Sequence, residues 1–157
     1  HRWTDPRQMI EFAWVAYRTM QPIYPGDAEV LSDNFLQLKE ELNELDKKIA
    51  ALMMGQEKRR FLVFHPAWSY FAKRYGLEQV AYEHHGQQPG ARYMTDLLDL
   101  CRQNNVRTLF VQPQSSAIHA ERFADELNLR QVVIDPLAYN YIGNLEKVAG
   151  KIAGDLW

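Results

Sequence analysis

The sequence predicts an α/β fold: a four-stranded parallel sheet flanked by helices and preceded by one long helix. Three observations predict it. Short apolar runs alternate with segments of helical period, joined by short connections, which is the pattern of a parallel sheet covered on both faces. Two of those runs end alike, with a polar side chain and then proline: Phe64-His65-Pro66 and Ile134-Asp135-Pro136. Ahead of them lies an unbroken helical pattern over residues 27–54.

Each element follows from its local chemistry. Thr4 or Asp5 can cap a first helix, and Pro6 suits its first turn, where a missing N–H loses nothing. Met9, Ile10, Ala13, Trp14, Ala16, Tyr17 and Met20 give that helix an apolar face, which ends near Gln21-Pro22. Tyr24-Pro25-Gly26-Asp27 reads as a turn. In the long helix, Leu31, Phe35, Leu38, Leu42, Leu45, Ile49 and Leu52 alternate spacings of four and three, a heptad seam. At 1.5 Å per residue this helix is roughly 40 Å long, enough to run down the side of a domain. A charged loop, 55–60, leads to a strand at 61–64, where a short apolar run meets a breaker. A helix at 67–75 stops at Gly76, and a strand at 79–83 follows. The polar loop 84–89 precedes a helix at 91–104, with Tyr93, Leu97, Leu98, Leu100 and Cys101 apolar. The strand 107–111 ends at Gln112-Pro113. Ser115 or Ser116 caps a helix at 115–127, 131–134 is the fourth strand, and 140–156 is the last helix.

The bulk composition removes several function classes. The chain has 157 residues, enough for one domain with a real core. A net charge of −2 without a basic patch gives no footprint for nucleic acid. No apolar run approaches the ~20 residues of a membrane span. The chain opens on His1 with neither an initiator methionine nor a signal segment, so the expectation is a processed or excised piece whose compartment its start does not reveal. Cys101 is the sole cysteine, which excludes an internal disulfide and a thiolate zinc cluster; its place on an apolar helix side predicts a buried, inert thiol.

The residues that suggest chemistry are His65 and Asp135. In open α/β sheets ligands bind at the carboxyl ends of strands, and both residues are expected there. Alone, His65 reads as a solvated or structural histidine and Asp135 as a helix cap. At equivalent ends of two strands they make a better case together. Neutral imidazole plus carboxylate suits zinc, and manganese accepts the same set. Glu83 is a candidate hydrogen-bond partner near the rim. His84 and His85, adjacent in sequence, point to opposite sides and read as a solvated loop; His119 reads as a surface residue. Trp3, Trp68, Tyr70, Phe71, Tyr139 and Tyr141 are candidates for an apolar shell, though ordinary packing explains most of them. No serine or cysteine nucleophile stands beside either residue, and no glycine-rich phosphate loop follows any strand.

With these residues in view, the chain resembles the C-terminal half of the zinc- and manganese-binding solute-binding proteins of metal ABC transporters. Four ordered blocks support the resemblance: His1-Arg2-Trp3-Thr4-Asp5-Pro6; Phe64-His65-Pro66-Ala67-Trp68-Ser69-Tyr70-Phe71 with Tyr75-Gly76-Leu77; Phe110-Val111-Gln112-Pro113; and Ile134-Asp135-Pro136-Leu137. The resemblance implies one lobe of a two-lobed binding protein. Residues 1–24 would be the last part of the N-terminal lobe, 25–56 an inter-lobe backbone helix, and 57–157 the metal-binding lobe. It further implies that His1, His65 and Asp135 are ligands in an inter-lobe cleft. The cargo would be zinc, with manganese as the other candidate, since histidine at the His65 position tends toward zinc. The protein would work in the periplasm, or outside the cell attached to the membrane, and would hand the ion to a membrane permease. The rest of the family's N-terminal lobe, with a further histidine ligand and a His-rich loop, is not in this sequence.

Two other readings compete. One is a non-catalytic interaction domain, a homodimer zipped along the heptad seam. The other is a zinc hydrolase, which needs an open metal position and a general base; no motif places a second carboxylate for it, and the expectation is that the protein is not an enzyme.

Overall fold

The computed structural model describes residues 1–83, 87, 89–114 and 117–157. The loop histidines His84 and His85 and the caps Ser115 and Ser116 lie outside the described residues. A 3-10 turn, Arg2–Thr4, opens the chain and leads into α1 (Pro6–Met20), whose cap is Asp5: its carboxylate accepts the Arg7 backbone N–H at 2.8 Å. After a second 3-10 turn, Pro25–Asp27, α2 (Ala28–Met54) runs for 27 residues. Then follow β1 (Arg60–Val63), α3 (Ser69–Arg74), β2 (Glu78–Ala81), α4 (Ala91–Gln103), β3 (Thr108–Val111), α5 (Ala117–Leu127), β4 (Arg130–Val133) and α6 (Tyr141–Ala153).

All strand pairs are parallel, as the alternating pattern predicts, and the strand order is β2-β1-β3-β4. Successive residues of a strand face opposite sides of a sheet, and here each side has its own core. Phe61 and Val63 pack with Leu45, Ile49, Met53, Trp68, Phe71, Leu145, Val148 and Ile152, the layer of α2, α3 and α6. Leu62 and Leu109 pack with Leu97, Cys101, Ala120 and Phe123, the layer of α4 and α5. Cys101 is buried, and burial pushes its thiol up to about 11 against the opposing charge of Arg102, so it is held as the unreactive acid form.

The long helix is used within the chain. The Phe35 ring stacks on Tyr17 of α1, centroids 5.1 Å apart, and meets Trp14 at 5.4 Å. Leu42, Leu45 and Ile49 are buried further along, where α2 packs on α6. The seam is thus partly covered by α1 and α6, with Leu38 left exposed, and the structure gives no support to a homodimer along it. It also departs from the heptad at its end. Leu52 is exposed and Met53 is buried in its stead, because an unsupercoiled helix drifts about 20° per heptad relative to a strict seven-residue repeat.

At the point where α1, α2 and α3 meet lies a buried carboxylate, Asp46, only 2% exposed. It accepts hydrogen bonds from Arg7 Nε at 2.8 Å, Arg74 Nε at 2.9 Å, Arg74 Nη2 at 2.6 Å and Tyr75 Oη at 3.1 Å. This cluster fixes the start of α1, and with it the N-terminal turn, against the α/β body.

Candidate metal centre

The β1–β3 pair forms the middle of the sheet, and from there the chain winds outward to β2 on one side and β4 on the other. Such a switch point opens a crevice outside the carboxyl ends of the strands, where sheets of this kind take their ligands. His65, Glu83 and Asp135 each stand two residues past the end of their strand, β1, β2 and β4, and Gln112 follows β3 directly. Four parallel strands therefore deliver four polar side chains to one rim.

His1 reaches the same rim from the N-terminal turn, held there by one local bond and two long-range ones. Thr4 Oγ1 donates to the His1 carbonyl at 3.0 Å, closing the turn on itself. Trp3 Nε1 donates to the Pro136 carbonyl at 2.8 Å, and Tyr141 Oη donates to the Trp3 carbonyl at 2.8 Å. Burial, and then the Asp5 charge, push the Tyr141 phenol well above its ordinary range, so it stays a donor. Held in this way, the His1 ring meets the His65 ring edge-on, with centroids 5.3 Å apart and planes at 74°, and meets Trp3 at 5.2 Å.

The carboxylates are arranged differently from one another. Glu83 Oε2 lies 2.6 Å from His65 Nδ1. Asp135 Oδ1 accepts the Leu137 backbone N–H at 2.9 Å and Gln114 Nε2 at 3.2 Å, while the Asp135 carbonyl accepts Asn144 Nδ2 at 2.7 Å. Asp135 is thus bonded into the turn it opens and caps no helix, contrary to the capping reading: the cap of α6 is Asn140. Among the described residues no three His, Cys, Asp or Glu side chains gather closely enough to hold a metal ion. What the rim presents is two pairs, His1–His65 and His65–Glu83, with Asp135 bonded into its own turn after β4.

Of the aromatic shell, Trp68 and Phe71 are core, Trp3 and Tyr141 are structural clamps of the rim, and Tyr139 is fully exposed. His119, expected at the surface, is half-buried on α5. Gln112 was visible in sequence only as a strand end. Its amide nitrogen is buried without a hydrogen-bond partner among the described residues. No helix of the described residues is long and apolar enough to cross a membrane.

A parallel α/β lobe with a long leading helix and an imidazole pair at its carboxyl rim defines a class: a ligand-binding lobe whose donors suit a borderline-soft divalent cation. The profile of the family described as zinc-uptake complex component A, periplasmic (ZnuA), matches residues 1–154. The chain belongs to that family. It is 30% identical to the protein in a crystal structure of ZnuA, with a TM-score of 0.93, covering all of this chain and 60% of that one. A zinc-bound ZnuA deletion mutant aligns at 31% identity and TM-score 0.93, over 99% of this chain and 60% of that one. The zinc-binding lipoprotein AdcA of Streptococcus pneumoniae (strain ATCC BAA-255 / R6) is 25% identical over 159 residues, 94% of this chain. The chain spans 32% of the length of that relative.

Proposed function

We propose that the chain is the metal-binding lobe of an extracytoplasmic receptor that captures zinc and delivers it to the permease of an ABC importer. In this reading residues 57–157 form the lobe, 25–56 the rod that joins it to a second lobe, and 1–24 the final segment of that second lobe. Zinc is cargo, bound and released with no covalent bond made or broken in the protein, so the role is not enzymatic. The observation that carries the reading is the apposition of the His1 and His65 rings at 5.3 Å on the carboxyl rim. Two imidazoles from opposite sides of a cleft are a start toward tetrahedral nitrogen-rich coordination, which favours zinc over manganese. Asp135 completes the set from this chain by turning its free carboxylate oxygen toward the ion, while Oδ1 stays in its turn. The similar proteins, a zinc-binding lipoprotein and a zinc-bound ZnuA, support the choice of cargo.

The test is calorimetric titration of the metal-stripped chain with zinc and, separately, with manganese. Zinc is expected to bind one-to-one and more tightly than manganese, with affinity falling sharply in His65→Ala and Asp135→Ala while both variants keep the parent's circular dichroism. Parent-like zinc binding by both variants would show that the ligands are wrongly assigned.

A further inference from the structure

We propose that Glu83 is a positioning residue that selects the tautomer and orientation of His65, an inference that rests on the zinc-capture reading for its purpose. A neutral imidazole carries its proton on one nitrogen, and the hydrogen bond made by one nitrogen decides what the other can do. The Glu83 carboxylate is 2.6 Å from Nδ1, so Nδ1 donates and Nε2, on the far side of the ring, keeps its lone pair for a cation. The side chains are only 30% and 21% exposed, which sets this pair apart from a loose surface contact.

The backbone explains why these two residues meet. The β1–β2 ladder pairs Val63 with Ala81 and continues past the assigned strand ends: Tyr82 N–H donates to the Val63 carbonyl at 2.9 Å and Glu83 N–H to the Phe64 carbonyl at 2.9 Å. Phe64 and Tyr82 stack at 4.7 Å just below. Glu83 and His65 therefore occupy adjacent positions at the top of a rigid ladder, and the pair is preset before any ion arrives. Carboxylates that accept the second ring N–H of a metal-binding histidine fix its orientation and typically contribute about 10–100-fold to metal affinity. The expected order of importance is thus His65 as ligand and Glu83 as the group that keeps its Nε2 available.

The experiment reads the tautomer directly and without metal. Long-range 1H–15N correlation spectra of the metal-free, 15N-labelled chain, with His65 assigned through a His65→Asn variant, are expected to show Nδ1–H in the parent. Glu83→Gln keeps an oxygen that can accept the same bond and should retain Nδ1–H. Glu83→Ala should shift the population toward Nε2–H and lower zinc affinity about 10–100-fold, with Glu83→Gln losing less. A parent spectrum dominated by Nε2–H or by the doubly protonated ring would overturn the proposal whatever the variants do. So would a Glu83→Ala chain with the parent's tautomer or, once the parent is shown to bind zinc, one with the parent's zinc affinity. Because the spectra are recorded on the metal-free protein, failure here is separable from failure of the zinc-capture reading.

Discussion

Replacing Asp46 with alanine tests how the N-terminal turn is held in place. The carboxylate is buried and accepts four hydrogen bonds, from Arg7, Arg74 and Tyr75. Breaking a buried ion pair by removing one partner costs about 3–5 kcal/mol when the surviving charge is left dry. Here the survivors are not dry, since the Arg7 and Arg74 side chains keep 50% and 34% of their exposure and can recover water. The expected loss is about 2–3 kcal/mol, or a fall in Tm of about 5–10 °C for a chain of this size. The sign of the pH dependence is fixed as well. Burial alone would raise the Asp46 carboxyl, but the bonds from Arg74, Arg7 and Tyr75 and the charge of Arg74 outweigh it and hold the group below its ordinary 3.8. A group whose folded pKa is depressed contributes stability that is complete above its unfolded pKa and lost as pH falls through the folded one. Urea unfolding followed by tryptophan fluorescence at neutral pH and below pH 4 measures both effects. The gap between parent and Asp46→Ala should be full at neutral pH and narrow in acid. A gap under about 0.5 kcal/mol at neutral pH, the size of an ordinary surface substitution, would refute the reasoning.

Two further outcomes follow from single side chains. Cys101, with its thiol pushed up to about 11 by burial, should resist a thiol-specific disulfide reagent at pH 8 in the native chain and react fully in denaturant; fast native labelling would show an open α4–α5 layer. Asn140 caps α6 by accepting the Gly143 N–H at 3.0 Å, so Asn140→Ala should cost about 0.5–2 kcal/mol in a urea titration, and an unchanged midpoint would mean the cap is idle.

The fold was largely legible because its signals are local. Apolar runs broken by proline mark β1 and β4, and the same breakers place His65 and Asp135 at the rim. The helix expected at 67–75 is shorter, Ser69–Arg74; Trp68 stands at its N-cap, and the Trp68 N–H donates to Gln79 Oε1 at 2.7 Å, a partner eleven residues away. The Trp3–Pro136 and Tyr141–Trp3 bonds that bring His1 to the rim span 133 and 138 residues, a distance over which no periodicity speaks. Asp46 is hidden for a related reason: on a helix rich in Glu and Lys, one more acid looks like part of the solvated face until two other helices, α1 and α3, converge on it. The His65–Glu83 pair lies between these cases. Both residues are legible as strand ends, but their meeting depends on the β1–β2 register.

The anchoring of α2 is lopsided. Leu42, Leu45, Asp46, Ile49 and Met53 are sunk in the body, whereas the half nearer Ala28 leans mainly on α1. A rod gripped at one end is a lever. Over the roughly 27 Å between Asp46 and Ala28, a tilt of about 4° swings the free tip by about 2 Å. The fulcrum lies at the Asp46–Arg7 bond, six residues along from His1. Whatever pulls on the Ala28 end of α2 therefore moves that tip most and the two imidazoles least.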